Sequence, residues 1–466
     1  MKRLLKGGMV VSGSGCSVMD VLMDEESGKI CQVAEHIEVE QEAVEVIDVS
    51  GKLLFPGFID AHTHFDLEVS GTVTADDFAT GTKAAVSGGT TLIIDFATQN
   101  KGETLDEALE NWHKKADGRC SCDYGFHMAI SDWNEDVSRQ LEHMFAEGVT
   151  SFKLYMTYDA MVLPDEAIYQ VLKRLKELNG IAGVHCENMG LIAARVAEEK
   201  QAGHLTPDAH PLTRPDLAEA EAVDRLLKLA KAADAPVIVV HLSSEAGYQE
   251  VVYARNGGKA EPEQEVYLET CPQYLVMDDS RYSEDGFDGA KYVCSPPLRK
   301  AADQECLWKA LAADQIQTIS TDHCSFTMEQ KRAGIDDFSK IPNGMPGVET
   351  RPVLMYTYGV RQGRLTLEQM CRLLAENPAK LYGIYPQKGC IAEGSDADLV
   401  VWDPETRWTL SVDNQKAATD YCPLEGMAVE GMPETVYLRG QKVAERGEVV
   451  KEDAGQYTRR GTYQKF

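Results

Sequence analysis

The sequence predicts an α/β protein: a (β/α)8, TIM-like barrel with a small β-sandwich domain formed by both chain ends. Three observations predict it. Between residues 54 and 389 short apolar runs alternate with amphipathic helical stretches, and eight of the runs read as strands. These runs are apolar on both faces, as parallel strands covered on both sides must be. Residues 1–53 and 390–447 instead carry shorter alternating strands separated by Gly and Ser clusters, the pattern of hairpins.

The first segment, 1–53, holds candidate antiparallel strands at 3–5, 9–11, 17–23, 29–33 and 43–48. Barrel strands are expected at 54–60, 90–96, 124–130, 150–156, 183–187, 237–242, 266–270 and 318–321. Among the helices between them, Pro215 opens one with an apolar stripe at Leu217, Val223, Leu226, Leu227 and Ala230. Its early acids (Asp216, Glu219, Glu221) and late lysines (Lys228, Lys231) suit the helix dipole. Thr366 and Gln369 have capping-box spacing, and Pro378, after Asn377, is expected to start another short helix. Strands at 398–402, 435–438 and 442–444 would complete the terminal sheet within 390–447. The polar tail, 448–466, carries Tyr457, Arg459, Arg460 and Tyr463, and either frays or lies against a neighbouring subunit.

A length of 466 residues accommodates one large barrel with a smaller domain. The formal charge of −29, from 75 acids against 46 bases, argues against nucleic acid and anionic membrane surfaces as partners, because both need a basic footprint. The N-terminus has no signal-like apolar run, and no stretch approaches the ~18 apolar residues of a membrane span. A cytoplasmic location is expected. The 12 cysteines are scattered, and Cys186, Cys271 and Cys294 lie in apparent core strands, which fits reduced thiols better than disulfides. Cys120 and Cys122 lack the second pair that a zinc knuckle needs.

The most informative stretch is Gly57-Phe58-Ile59-Asp60-Ala61-His62-Thr63-His64. Side chains alternate along a strand, so His62 and His64 share one face at its end, where two imidazoles suit a divalent metal. Four other strands bring further groups: Lys153 within 150–156, His185 after 183–184, His241 after four branched aliphatics, and Asp322 after 318–321. In a closed barrel such groups gather at the C-terminal rim. Taken singly, His185 and His241 could be hydrogen-bonded core residues, Lys153 an ion-pair partner of Glu187, and Asp322 a helix N-cap. Together those readings require a coincidence at every strand end. His36, His113, His127, His143, His204 and His210 lie off the pattern and read as structural or surface residues, and His323 should point to the face opposite Asp322.

His62, His64, His185, His241 and Asp322 make one ligand more than a single tetrahedral metal takes from protein. Two divalent ions sharing a bridging group fit better, and histidine-rich ligation favours zinc. Lys153, converted by carbon dioxide to a carbamate, would present two oxygens able to bridge, given a pKa lowered by burial and neighbouring cations.

On these residues the chain resembles the cyclic amidohydrolases of the dihydropyrimidinase and D-hydantoinase group, within the amidohydrolase superfamily. Further likeness lies in Gly71-Thr72-Val73-Thr74-Ala75-Asp76-Asp77-Phe78, Glu269-Thr270-Cys271-Pro272-Gln273-Tyr274 and Ser295-Pro296-Pro297-Leu298-Arg299. Thr321-Asp322-His323-Cys324, Ile341-Pro342-Asn343-Gly344 and Gly394-Ser395-Asp396-Ala397-Asp398-Leu399-Val400 extend it over nearly the whole chain. The resemblance implies one metal on His62, His64 and Asp322, and a second on His185 and His241. Lys153, as N6-carboxylysine, would bridge them. Tyr158 would donate to the developing oxyanion, and Ser295 and Asn343 would hold the cyclic amide or imide edge, largely through backbone groups. The implied reaction is attack by a metal-bridging hydroxide on the ring carbonyl of a dihydropyrimidine or 5-substituted hydantoin, with Asp322 carrying the proton to the leaving nitrogen, to give an N-carbamoyl amino acid. A homo-oligomer, tetramer or dimer, is implied as well.

The chain departs from the group after His64. An apolar Met-Pro-Phe-like loop is frequent there, and this sequence has Phe65-Asp66-Leu67-Glu68-Val69-Ser70. Glu68 either makes the substituent pocket more polar or points to solvent, the second being favoured. Met161, Val162 and Leu163 are apolar candidates for the other wall. Allantoinase or dihydroorotase would share the scaffold, although no arginine is clearly placed to receive an orotate-type carboxylate. Non-catalytic relatives, the collapsin response mediator proteins, lack parts of a ligand set that this chain retains.

Overall fold

A computed structural model describes residues 1–39, 44–256 and 264–466. Eight strands form a parallel sheet in sequence order: β1 (Phe58–Thr63), β2 (Thr90–Thr98), β3 (Asp123–Ala129), β4 (Ser151–Tyr155), β5 (Ile181–His185), β6 (Val237–Val239), β7 (Val266–Thr270) and β8 (Thr318–Ile319). Most of their residues are buried, as the two-sided apolar runs require. The chain that follows the short β8 meets β1 at a parallel bridge, Thr63 to His323, and the N–H of His64 donates to the His323 carbonyl at 2.8 Å. Side chains knit the rest of this seam. Thr321 Oγ1 donates to Asp60 Oδ2 at 2.8 Å, and the wholly buried Arg351 donates to the carbonyls of Ile59 and Ile319 at 2.7 and 2.8 Å.

The predicted first strand, 54–60, is divided between two sheets. Leu53–Pro56 pairs with the terminal strands, and the barrel strand begins only at Phe58. Gly57 makes the switch, where a Cβ would come within 2.0 Å of Thr91 Oγ1. Strand 237–242 is shorter than expected, because the chain turns at Val240 and His241 adopts a left-handed φ of 38°.

The terminal strands form a single nine-stranded sheet. Candidates 3–5 and 9–11 are one strand, Lys2–Ser12, continued across an irregularity between Leu5 and Gly8. It is not wholly antiparallel as expected, since Val44–Asp48 and Leu53–Pro56 pair with it in parallel. Ala43, the expected start of the former, lies outside the described residues. Leu399–Thr409, Ala428–Leu438, Gln441–Glu445 and Glu448–Val449 complete the sheet from the other end of the chain. Leu5, Val21, Met23, Leu54, Leu399 and Val401 pack into one apolar cluster within it.

The helix Asp216–Ala233 forms after Pro215 with Val223, Leu226, Leu227 and Ala230 buried, but Leu217 is 66% exposed and Ala218 takes its place in the buried face. The Thr366–Gln369 capping box is present. Asn377–Leu381 is the expected short helix with Pro378 in its first turn, and it follows directly on Leu367–Cys371 and the wide π turn Arg372–Glu376.

The tail does not fray. It runs beneath the barrel's N-terminal end, where the N–H of Tyr124 donates to Gln456, that of Thr458 to Tyr124, and that of Arg460 to Gly148. Among the described residues every cysteine is free, and no helix is long and apolar enough to cross a membrane.

Candidate metal centre and active site

The strand ends bring His62, His64, Lys153, His185, His241 and Asp322 into one cluster at the barrel's C-terminal rim. His62 Nε2 and His64 Nε2 lie 3.2 and 3.1 Å from Asp322 Oδ1, and Lys153 Nζ lies 3.3 Å from His62 Nε2. The His241 ring is centred 5.3 Å from that of His62 and 4.6 Å from that of His185. Nitrogen and carboxylate atoms of His62, His241 and Asp322 fall within 4.8 Å of one another. No helix begins at Asp322, so the N-cap alternative falls.

The donor chemistry fits a divalent ion. His62 Nδ1 meets Glu269 Oε1 at 2.6 Å, which orients the ring with Nε2 toward Asp322 and Lys153. His241 Nδ1 is buried and has no hydrogen-bond partner among the described residues, the mark of an imidazole built for something other than its own fold. Nε2 of His185 is engaged by Glu187 Oε2 at 2.7 Å, which leaves Nδ1 as its free donor.

Lys153 is 1% exposed and does not pair with Glu187, whose carboxylate is held by Arg214 and His185 instead. Burial pushes the Lys153 amine down to about 8, with Asp322 and Glu269 opposing. Burial also works against ionisation of Asp322, but charge from His62 and hydrogen bonds from His62 and His64 hold it well below the ordinary carboxylate range. Burial keeps His241 neutral, and Lys153 and His185 reinforce the effect.

Three residues of the rim sit in the left-handed region: Tyr158 at φ 70°, His241 at 38° and Asp322 at 52°. Strain of this kind, on the order of 1–3 kcal/mol each, collects where geometry serves a site. The Tyr158 ring lies 5.2 Å from that of His185. Burial raises its phenol pKa, opposed by the Arg214 guanidinium 5.6 Å from the ring. Ser295 is buried, and Asn343 is half-buried in a loop alongside the chain that follows Asp322, with a bridge between His323 and Met345. No backbone hydrogen bond is made by Ser295 or Asn343 among the described residues. Met161 and Val162 are half-buried and Leu163 buried, on a turn that returns to Tyr155. Glu68 is exposed on a small hairpin, so it faces solvent.

His323 turns away from the cluster, and its Nε2 donates to Asp76 at 3.0 Å. His127 and His210 are buried and hydrogen-bonded to main-chain carbonyls, as expected of structural histidines.

Sequence reasoning missed three groups. Glu269 and Glu187 orient two of the histidines, and Arg214 stands behind both Glu187 and Tyr158. Glu269, at the end of β7, carried a positional signal. Arg214 gave none, since its partner Glu187 is 27 residues away.

Comparison with known proteins decides the family. The model for the "Amidohydrolase family" matches residues 53–443. The chain belongs to the amidohydrolase family. This is a family of metal-dependent hydrolases. Among amidohydrolase relatives, a D-hydantoinase of Geobacillus stearothermophilus is 43% identical, with 99% of this chain and 97% of the relative covered. A dihydropyrimidinase of Dictyostelium discoideum is 39% identical over 94% of this chain and 87% of its own. The crystal structure of dihydropyrimidinase from Brevibacillus agri NCHU1002 superposes with a TM-score of 0.96 at 42% identity, over 100% of both chains. The barrel and the terminal sheet are thus those of a D-hydantoinase-like amidohydrolase.

Proposed function

We propose that this amidohydrolase opens the cyclic amide bond of dihydropyrimidines and 5-substituted hydantoins to give N-carbamoyl amino acids. The observation that carries the reading is the convergence of four histidines, Asp322 and a buried lysine at about 8, with His241 Nδ1 left unpartnered among them. His62, His64 and Asp322 would hold one divalent ion, and His185 and His241 a second. Lys153 would be shared between them as N6-carboxylysine. Nitrogen-rich ligation favours zinc. Two such ions supply Lewis acidity toward the ring carbonyl and lower the pKa of water.

The chain's own groups do the rest. Asp322 accepts a proton from the attacking water and delivers it to the departing ring nitrogen, its ionised form being secured by His62 and His64. The Tyr158 phenol, kept protonated by burial, donates to the carbonyl oxygen as charge develops. The free backbone groups of Ser295 and Asn343 hold the amide or imide edge of the ring. Met161, Val162 and Leu163 offer an apolar wall to the ring substituent.

The same reading divides the chain into a terminal domain of 1–53 and 390–447, a catalytic barrel of 54–389 and a tail of 448–466. It also includes a cytoplasmic homo-oligomer, tetramer or dimer. The pairing of strands from both chain ends in one sheet supports the division.

The test is ring opening of dihydrouracil, 5-phenylhydantoin and allantoin by the purified protein, with metal content measured on the same sample. Two metals per chain and turnover of either of the first two are expected. Turnover of allantoin alone would move the chain to another cyclic amidohydrolase activity. Absence of metal and turnover after zinc and bicarbonate are supplied would refute the reading in favour of a non-catalytic scaffold.

A further inference from the structure

Lys331 ends the short helix Met328–Lys331, outside the donor cluster, and its side chain is wholly buried. Among the described residues no carboxylate pairs with it. Its ammonium instead donates to three main-chain carbonyls, Val293 at 3.2 Å and Pro342 and Gly344 at 3.0 Å each. Three donors meet three carbonyl acceptors, and the Phe326 ring, 5.8 Å from the nitrogen, covers another side. A buried cation without a counter-ion is costly, and a fold keeps one where it fixes an arrangement.

The arrangement lies at the proposed substrate edge. Pro342 and Gly344 flank Asn343 on either side, and Val293 is two residues before Ser295. The loops also touch directly, the N–H of Gly344 donating to the Val293 carbonyl at 2.9 Å. Gly344 has a φ of 153°, and a Cβ there would meet the Cys324 carbonyl at 2.1 Å. Beyond Met345, His323 Nδ1 accepts from the N–H groups of Gly347 and Val348 at 3.1 and 3.2 Å. The loop is therefore fixed on both sides of Met345, and Lys331 joins its near side to the Ser295 segment.

We propose that Lys331 is a positioning residue: its ammonium acts as a built-in cation that sets the separation of the Ser295 and Asn343 backbones, and so the fit of the cyclic amide edge. This rests on the substrate reading given above. Backbone contacts that hold the ring equally in ground state and transition state set binding, so their loss raises KM and spares kcat.

The test uses Lys331→Met, which keeps the length and removes the charge, and Lys331→Gln, which restores a shorter donor. Amide hydrogen exchange over 291–297 and 340–346 is read together with metal content and with kcat and KM for dihydrouracil and 5-phenylhydantoin. Lys331→Met should exchange faster in both segments and raise KM about tenfold or more. Metal content and kcat should stay near wild type, and Lys331→Gln should fall between. Should Lys331→Met fail to fold, Lys331→Gln carries the same readouts. Unchanged exchange and KM would overturn the proposal, and so would parallel loss of kcat and metal, which would signal general damage. An inactive wild type would instead sink the substrate reading and the positioning role with it, while the exchange rates alone would still decide whether the ammonium joins the two loops.

Discussion

At the floor of the barrel His127 is fully employed: Nε2 donates to the Ala61 carbonyl at 2.9 Å, and Nδ1 accepts from the Ser151 hydroxyl at 2.6 Å. Ser151 in turn accepts from Arg460 of the tail at 2.7 Å. At the rim His241 is equally buried, yet its Nδ1 has no partner among the described residues, and its backbone is held at a positive φ. The barrel thus carries on β3 a histidine satisfied by the fold and, after β6, one whose ring nitrogen is left for a ligand. Burial is common to both ends, so burial does not distinguish function. Unmet hydrogen-bonding capacity does, when it coincides with strained backbone and a depressed lysine.

Substitutions at the two ends should therefore fail in different ways. The largest effect is expected for Lys153→Ala, which should lose most of its metal and its activity, with short carboxylic acids restoring part of both. Full metal content in that variant would rule out the carbamate bridge. Tyr158→Phe should keep its metal and lose about 10²–10³ in kcat, the size of one oxyanion donor. Wild-type turnover would remove Tyr158 from the chemistry. Glu269→Gln, which loosens the orientation of His62, should weaken metal binding by about 10–100-fold. Unaltered retention during dialysis against a chelator would show that Glu269 does not act through His62. Ser151→Ala should behave as a floor residue: denaturant melts should show a loss of about 1–3 kcal/mol from unsatisfied His127 and Arg460. With metal bound, kcat and KM should stay near wild type, and a turnover loss matching that of Tyr158→Phe would erase the contrast between the ends.

Much of the rim was legible because a strand's period of two fixes which side chains share a face, and a parallel barrel fixes where strand ends meet. His62, His64, His185, His241 and Asp322 could be found that way without knowing any distance. Three features were not legible, for one physical reason. Arg214, Lys331 and Arg460 act through partners remote in sequence, and two of them bond to main-chain carbonyls, which carry no side-chain pattern. The strand at 54–60 misled for a different reason. Its apolar run is continuous across Gly57, and only the close approach of Thr91 shows that two sheets divide it. The parallel pairing of Val44–Asp48 with Lys2–Ser12 is likewise a tertiary choice that local alternation does not encode.

The docking of the tail bears on how the molecule is made. Residues 455–464 hydrogen-bond to Cys120, Tyr124, Gly148, Gly383 and Lys380, so the barrel's underside is sealed by chain synthesised after all eight of its strands. A nascent polypeptide halted just short of this segment would hold every rim residue and still lack its base plate. Because the Ser151–His127 pair lies between Arg460 and the carbonyl next to His62, the floor under the donor cluster is complete only once residues 455–464 have docked.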